Sequence, residues 1–216
     1  MTTFIHPTAL VEEGVEIGPG SAIWDNVHIR RGARLGEECI VGEKSYIAYD
    51  VQIGSRVKIN AMVYICAAVT LEDGVMVSAG TIFTNDRFAR ATTPDLLHLR
   101  PSAPDEHTRP TLIREGATVG AGCTVGNDLV IGRFAMIGMG SVVTRSIPDF
   151  HLAIGHPARP VGCVCRCGHL LFRFAAPAEE RCEENAAEPF REATCQACGR
   201  RYAAKPGEVR EGWPPD

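Results

Sequence analysis

The sequence predicts an all-β protein: a parallel β-helix wound from six-residue units, interrupted once by a long inserted loop and followed by a small cysteine-rich module. Three observations predict it. Aliphatic residues hold one six-residue phase, aromatic content is only 6% beside 22 glycines, and six of the nine cysteines gather between positions 163 and 198.

The phase is the strongest of these. Ile5, Val11, Ile17, Ile23, Ile29, Leu35, Val41, Ile47, Ile53, Ile59, Ile65, Leu71, Val77 and Phe83 fall every sixth residue, and the same phase resumes at Ile113, Val119, Val125, Ile131, Ile137 and Val143. A period of six is neither helical nor a simple alternation, so each unit reads as a short strand and a tight turn. A β-sandwich would not keep one phase across so many turns. Three units closing a triangular coil stack these residues into inward ladders and a continuous core. The residue after each aliphatic position is often glycine, as at Gly18, Gly36, Gly42, Gly54, Gly120, Gly126, Gly132 and Gly138. These glycines suit a turn that needs unusual φ and ψ. The fourth residue after it is small or β-branched, as at Ser21, Val27, Ala33, Cys39 and Val63.

Residues 84–112 break the pattern with four prolines, mixed charge and no period. A long structureless excursion from a regular solenoid is usually functional, and one leaving a corner can fold over a groove beside the body.

The last segment changes character at Cys163. Cys165-x-Cys167-Gly and Cys195-x-x-Cys198-Gly have the form of two zinc knuckles, and four thiolates give the closed tetrahedral set of a structural Zn²⁺ site. So small a module has little core of its own, so metal binding supplies its folding energy. Cys163 and Cys182 remain over, with Cys163 an alternative to Cys165. The expected division is residues 1–162 for the solenoid, 163–203 for the ribbon and 204–216 for a flexible tail.

Net charge is −4 and no Lys/Arg-rich run occurs, which argues against a nucleic-acid partner. The N-terminus lacks the basic start and apolar stretch of a secretory signal, and no run of roughly 18 apolar residues suggests a membrane span. A cytoplasmic protein without membrane partners is expected, and in a reducing compartment metal explains the cysteines better than disulfides.

The repeat resembles the hexapeptide-repeat transferases, whose left-handed β-helix trimerises and binds acyl-CoA in grooves between subunits. Within them, the segments at 23–43, 69–75, FTNDRFAR at 83–90, RPTLIREGATVGAG at 109–122, IGMGSVVTRSIP at 137–148 and AIGHPARPVG at 153–162 resemble the acetyltransferases that modify the 3-amino group of nucleotide-linked sugars for bacterial surface polysaccharides. That resemblance implies an acetyl-CoA-dependent homotrimer acting on a UDP- or dTDP-linked amino sugar. It assigns Asn85 and Asp86 to the amino-sugar site and Arg90 to a sugar acid or the nucleotide phosphates, with His28 and Arg31 as further substrate-side residues. Gly138, Gly140 and Ser141 match the stretch that meets coenzyme A, and Pro157, Ala158 and Arg159 the segment near its adenosine end.

Counting in coils of eighteen stacks Glu13, Arg31, Tyr49, Ala67 and Asn85 in one column. The family usually carries an acid at the position of Ala67, inside an aromatic–acid–Gly triplet that here reads Cys66-Ala67-Ala68. Asp86 and His28 are the polar candidates for a general base, although the departing thiolate can itself take the proton. Transfer of a longer acyl chain, O-acetylation, and a non-catalytic scaffold are the other readings. A zinc carbonic anhydrase on this fold needs three coil histidines, and the sequence shows no such triad.

Overall fold

The computed structural model describes residues 2–174 and 189–212. The six-residue units wind as a parallel β-helix with three faces. The first face pairs Phe4–Ile5, Ala22–Ile23, Ile40–Val41, Lys58–Ile59, Met76–Val77, Thr118–Val119 and Met136–Ile137 in that order. The second pairs Leu10–Val11, His28–Ile29, Tyr46–Ile47, Tyr64–Ile65, Ile82–Phe83, Thr124–Val125 and Val142–Val143. The third pairs Glu16–Ile17, Arg34–Leu35, Gln52–Ile53, Val69–Leu71, Thr111–Ile113 and Leu129–Ile131. The register advances by one coil, as in Ile5 opposite Ile23, where 23 − 5 = 18. Across the interruption Val77 lies opposite Val119, a step of 119 − 77 = 42, so 42 − 18 = 24 residues are extruded without disturbing the register.

The phase residues form the core. Ile23, Ile29, Ile47, Val77, Ile113 and Ile131 are wholly buried, whereas Ile5 on the first coil is 45% exposed, no coil lying beneath it among the described residues. The small positions are buried too, and their polar members are satisfied coil to coil. Ser21 Oγ donates to Gly36 O at 3.2 Å and accepts from Cys39 N at 3.0 Å. Ser45 repeats this with Asn60 O and Val63 N. A serine therefore stacks in this core without leaving an orphaned hydroxyl.

The recurring glycines have a different purpose from the one expected. Positive φ falls not on them but on the third residue after most aliphatic positions, such as Gly14, Asn26, Gly32, Asp50, Met62 and Gly80. The glycine directly after the aliphatic residue lies where the next coil passes. A Cβ at Gly42 would sit 2.7 Å from Ala61 N, and one at Gly120 would sit 2.6 Å from Ile137 O. Backbone contact between coils is the constraint there.

After the last coil, His151–Gly155 pairs parallel with Met136–Ile137, and Ala158–Val164 and Leu170–Arg173 extend the first face antiparallel. A separate three-stranded sheet follows, Arg191–Thr194, Arg201–Lys205 and Glu208–Gly212. Two expectations are corrected. The division at 162/163 falls inside a continuous strand, so solenoid and ribbon share a sheet. Residues 204–212, expected as tail, form a hairpin arm held by docking: Val209 packs on the buried cluster of Phe150, Cys165, Cys195 and Tyr202. Cys182 and residues 213–216 lie outside the described residues.

The glycine assignment has a direct test. Gly42→Ala should lose about 1–3 kcal/mol by overpacking, whereas Gly14→Asn, at an open left-handed position, should stay within about 0.5 kcal/mol of wild type. Urea midpoints of the two variants separate these costs, and equal midpoints would remove the coil-contact explanation.

Candidate active site and metal centre

The inserted segment leaves the corner between the second and third faces, directly after Ile82–Phe83, and its two ends are zipped together. Arg109 N donates to Asn85 O at 2.8 Å, and Asp86 bridges antiparallel to Thr108. Stacking places Asn85 one coil beyond Ala67, where its Nδ2 donates to Ala67 O at 3.1 Å. That bond fixes the amide and turns Asn85 Oδ1 into the free acceptor.

Asp86 Oδ1 accepts from Phe88 N at 2.8 Å, and its other oxygen lies 3.9 Å from Arg100 Nη1. Arg100 also donates to Phe88 O at 2.8 Å and pairs with Asp105 at 3.3 Å. Arg100 was not among the expected residues, because an ion pair inside an aperiodic segment leaves no spacing signal. Arg90 donates to Ala89 O at 2.8 Å and lines a hollow of about 370 Å³ with Asp86, Arg100 and Ser102.

His28 is not brought to this corner. Its Nε2 lies 3.1 Å from Glu12 Oε1, and its ring meets Tyr46 edge-on at 5.4 Å. The Arg31 amide, with Arg30 and His28 beside it, holds the Glu12 carboxyl below its usual range. His28 lies in the coil of Arg31, three coils from Asn85, or about 14 Å at the usual strand spacing. It is therefore not a base for an amine held at Asn85 of the same chain. Arg31 faces Tyr49 across 5.6 Å.

The residues matched to coenzyme A lie at another corner, between the first and second faces. The Gly138 amide donates to Ala153 O and the Gly140 amide to Ala121 O, each at 2.8 Å, so both amides are already engaged between coils. Ser141 is buried and its Oγ accepts from Gly155 N at 3.1 Å, which brings the turn around the exposed Met139 against the segment holding Pro157, Ala158 and Arg159. Pro157 follows a cis peptide, Ala158 is buried, and Arg159 Nη1 reaches Ala158 O at 2.9 Å.

The four expected cysteines converge. The Sγ atoms of Cys165, Cys167, Cys195 and Cys198 all lie within 4.8 Å of one another, with Cys165–Cys198 at 3.4 Å and Cys167–Cys195 at 3.6 Å. A tetrahedral zinc with Zn–S of about 2.3 Å needs sulfur separations of about 3.8 Å, so the donor set fits. Each knuckle closes as read, with the Gly168 amide donating to Cys165 O and the Gly199 amide to Cys195 O. The Arg200 backbone amide and the Cys165 sulfur hold the Cys198 thiol down at about 6. Cys163 stays apart, fully buried, its thiol pushed up to about 12 by burial. It is not an alternative ligand. Among the described residues no other group of His, Cys, Asp or Glu converges in this way.

The ribbon docks on the last coil through Phe134, Phe150 and Tyr202, with Phe134 and Phe150 stacked at 5.3 Å. Arg166 lies over Phe134 at 4.3 Å and reaches Glu115 at 3.7 Å. His151, wholly buried, lies 2.8 Å by Nδ1 from Asp149 O and accepts from Gly207 N at 3.0 Å through Nε2. It is a neutral latch between the solenoid end and the hairpin.

A family model described as bacterial transferase hexapeptide (six repeats) matches residues 14–49. The chain is 37% identical over 210 residues to a dTDP-3-amino-3,6-dideoxy-alpha-D-galactopyranose 3-N-acetyltransferase of Aneurinibacillus thermoaerophilus, covering 97% of this chain and 95% of that protein. It is 26% identical over 183 residues to a bifunctional protein GlmU of Heliobacterium modesticaldum, covering 70% of this chain and 36% of that one. Among solved structures, a variant of AntD, an N-acyltransferase from Bacillus cereus in complex with dTDP and coenzyme A, aligns at a TM-score of 0.49 and 20% identity over 76% of this chain and 81% of that one.

The latch carries a pH dependence. Burial lowers the His151 pKa below its usual 6.5, so the undocked state binds the extra proton first and docking weakens as pH falls below about 6.5, with no effect above it. The melting temperature of wild type relative to His151→Gln should therefore fall between pH 7.5 and pH 5. A pH-independent difference would mean that His151 is not a latch.

Proposed function

Because the chain belongs to the hexapeptide-repeat, left-handed β-helix acetyltransferases of nucleotide-linked amino sugars, we propose that it transfers the acetyl group of acetyl-CoA to the 3-amino group of a dTDP- or UDP-linked sugar. The observation that carries this reading is the Asn85 amide, pinned by the Ala67 carbonyl at 3.1 Å so that its Oδ1 faces outward to receive an amine N–H. An amine so held points its lone pair away from Asn85, towards an incoming thioester carbonyl. Most of the acceleration then comes from positioning.

Ala67 matters to the charge state. With no carboxylate at that position one fewer acid favours an ammonium there, and the attacking nucleophile is the neutral amine. In the transfer the new C–N bond forms as the C–S bond breaks, and the amine proton ends on the departing thiolate, whose conjugate thiol has a pKa of about 8.5. No protein base is required. Asp86, pinned by Phe88 and faced by Arg100, acts as a fixed acceptor beside the amine. The small Cys66-Ala67-Ala68 triplet leaves room for an acyl chain longer than acetyl, so butyryl-CoA belongs in the assay.

We place the enzyme in the cytoplasm, where acetyl-CoA is made and thiols stay reduced. Among the described residues no helix is long and apolar enough to cross a membrane. We assign the assembly as a homotrimer, on two grounds. Asn85 and Gly138–Ser141 occupy different corners of one prism, separated by the whole second face, so one chain does not bring an amine and a thioester together. That face presents Leu10, Tyr46, Tyr64 and Ile82 outward, with Tyr46 and Tyr64 stacked at 5.2 Å, whereas the third presents Glu16, Arg34, Gln52 and Thr70. Packing three copies on this face, where His28 is the one titratable side chain among its outward strand residues apart from the tyrosines, sets the amine corner of one against the coenzyme A corner of the next.

We assign a structural Zn²⁺ to Cys165, Cys167, Cys195 and Cys198. It supplies folding energy to the ribbon and takes no part in acyl transfer.

Two measurements test these assignments. Thiol release from acetyl-CoA with dTDP- and UDP-linked 3-amino sugars should show turnover that Asn85→Ala reduces about 100-fold or more; no turnover with any of them and no coenzyme A binding leaves a non-catalytic scaffold. Purified protein should carry one zinc per chain, and a chelator should lower the melting of the ribbon while the solenoid's β-signal persists. Protein without zinc that melts unchanged in chelator would refute the metal assignment.

A further inference from the structure

The four thiols of the ribbon are not equivalent. Cys165 and Cys195 are 1% and 3% exposed, whereas Cys167 and Cys198 stand open to solvent. Each knuckle thus contributes one covered and one open sulfur. The close separations run across the knuckles: the open Cys198 lies 3.4 Å from the covered Cys165, and the open Cys167 lies 3.6 Å from the covered Cys195.

The two knuckles also belong to different parts of the fold. Cys165 and Cys167 follow Ala158–Val164, a strand of the sheet that begins as the solenoid's first face, whereas Cys195 and Cys198 follow Arg191–Thr194 in the separate three-stranded sheet. A bond between the knuckles therefore fastens that sheet to the solenoid, as a shared metal ion does. A bond inside one knuckle fastens nothing. Which sulfurs pair on oxidation thus decides whether the ribbon stays docked.

We propose that the cluster is a redox-exchangeable clamp: a peroxide expels the Zn²⁺ and joins Cys165 to Cys198 and Cys167 to Cys195, so that disulfides hold the ribbon where the metal held it. This rests on the zinc assignment, because without a metal there is nothing to expel. Hydrogen peroxide meets the open Cys198 first. The sulfur attacks one peroxide oxygen, the O–O bond breaks, and hydroxide leaves as Cys198 becomes a sulfenic acid. The Cys165 thiolate, 3.4 Å away, then attacks that sulfur; the S–S bond forms as the S–O bond breaks, and a second hydroxide leaves. Two thiolates, one peroxide and two protons give one disulfide and two waters, the peroxide taking both electrons. A second peroxide joins Cys167 to Cys195 in the same way. Each pair has to close by about 1.5 Å to reach disulfide length. Uncharged disulfide sulfurs no longer hold Zn²⁺, which binds the thiolate form. Thiol exchange in a reducing compartment reopens both bonds and restores the metal site.

Zinc-loaded protein treated with hydrogen peroxide, alkylated and digested with trypsin tests the pairing by mass spectrometry. Cleavage after Arg145, Arg166, Arg173, Arg191 and Arg200 places Cys165, Cys167 and the Cys195, Cys198 couple on three separate peptides. Peptide 192–200 should be covalently joined to both of the others, with all bound zinc released at about two equivalents of peroxide. Cys163→Ala, which removes the second thiol of the Cys165 peptide, should leave this map unchanged. An internal disulfide within 192–200, or thiols oxidised without any linkage, would overturn the clamp. Melting in a chelator gives an independent reading: the ribbon of untreated protein should melt early, peroxide-treated protein should melt as the zinc form does, and dithiothreitol should abolish the difference. Equal melting of treated and untreated protein would also sink it. Linked peptides from protein that carries no zinc as purified would remove the metal and keep the pairing, whereas zinc release without linked peptides would keep the metal and remove the clamp.

Discussion

Coil-to-coil stacking at a fixed register is the constraint on which the rest of this molecule depends. Each short strand meets its backbone hydrogen bonds in neighbouring coils, as where Tyr46 N donates to Val63 O and Gly42 N to Ile59 O. No coil can shift by one residue without turning its aliphatic ladder to solvent. The strictness explains features that otherwise look unrelated: the recurring glycine after an aliphatic residue, the serines whose hydroxyls link successive coils, and the left-handed residue in most turns. It also explains how 24 residues can be extruded after Phe83 at no cost to the core, since Val77 and Val119 still meet.

The same constraint builds the site. A stacked solenoid places every eighteenth residue in a straight column, so functional side chains need not come from one loop. Ala67 and Asn85 are eighteen apart and meet as carbonyl and amide. The missing acid at 67 leaves the main-chain carbonyl as Asn85's partner, and a carbonyl cannot be protonated. The orientation of Asn85 is thus independent of pH over the range in which a carboxylate would titrate.

Legibility in the sequence followed the same physics. The aliphatic phase was readable because only one backbone geometry repeats every six residues, and the convergence of Cys165, Cys167, Cys195 and Cys198 because a knuckle demands short spacing and a glycine. The function of Gly18 and Gly42 was misread, since glycine serves both positive φ and close approach and the two look alike in a sequence. Arg100 and the 204–212 hairpin were not readable at all. The first acquires its meaning only when the aperiodic segment folds back on Asp86. The second contains no strong strand pattern and is held by Tyr202, Val209 and the Gly207–His151 bond, contacts made with a distant part of the chain.

The two ends of the solenoid differ in a way that bears on catalysis. Among the described residues the first coil is left bare, with Phe4, Ile5 and Leu10 about half exposed, while the last is covered by the ribbon through Phe134, Phe150 and Tyr202. A terminal coil has neighbours on one side only, so it is the part most prone to fray. Fraying at the bare end reaches only turns remote from the acyl donor. Fraying at the covered end would loosen Met136–Ile137, the strand that leads directly into Gly138–Ser141, and with it the His151–Gly155 strand that supports the Pro157–Arg159 segment. The ribbon is therefore placed where local opening would damage the assigned coenzyme A surface, and it rigidifies that surface from a distance rather than contributing to it chemically.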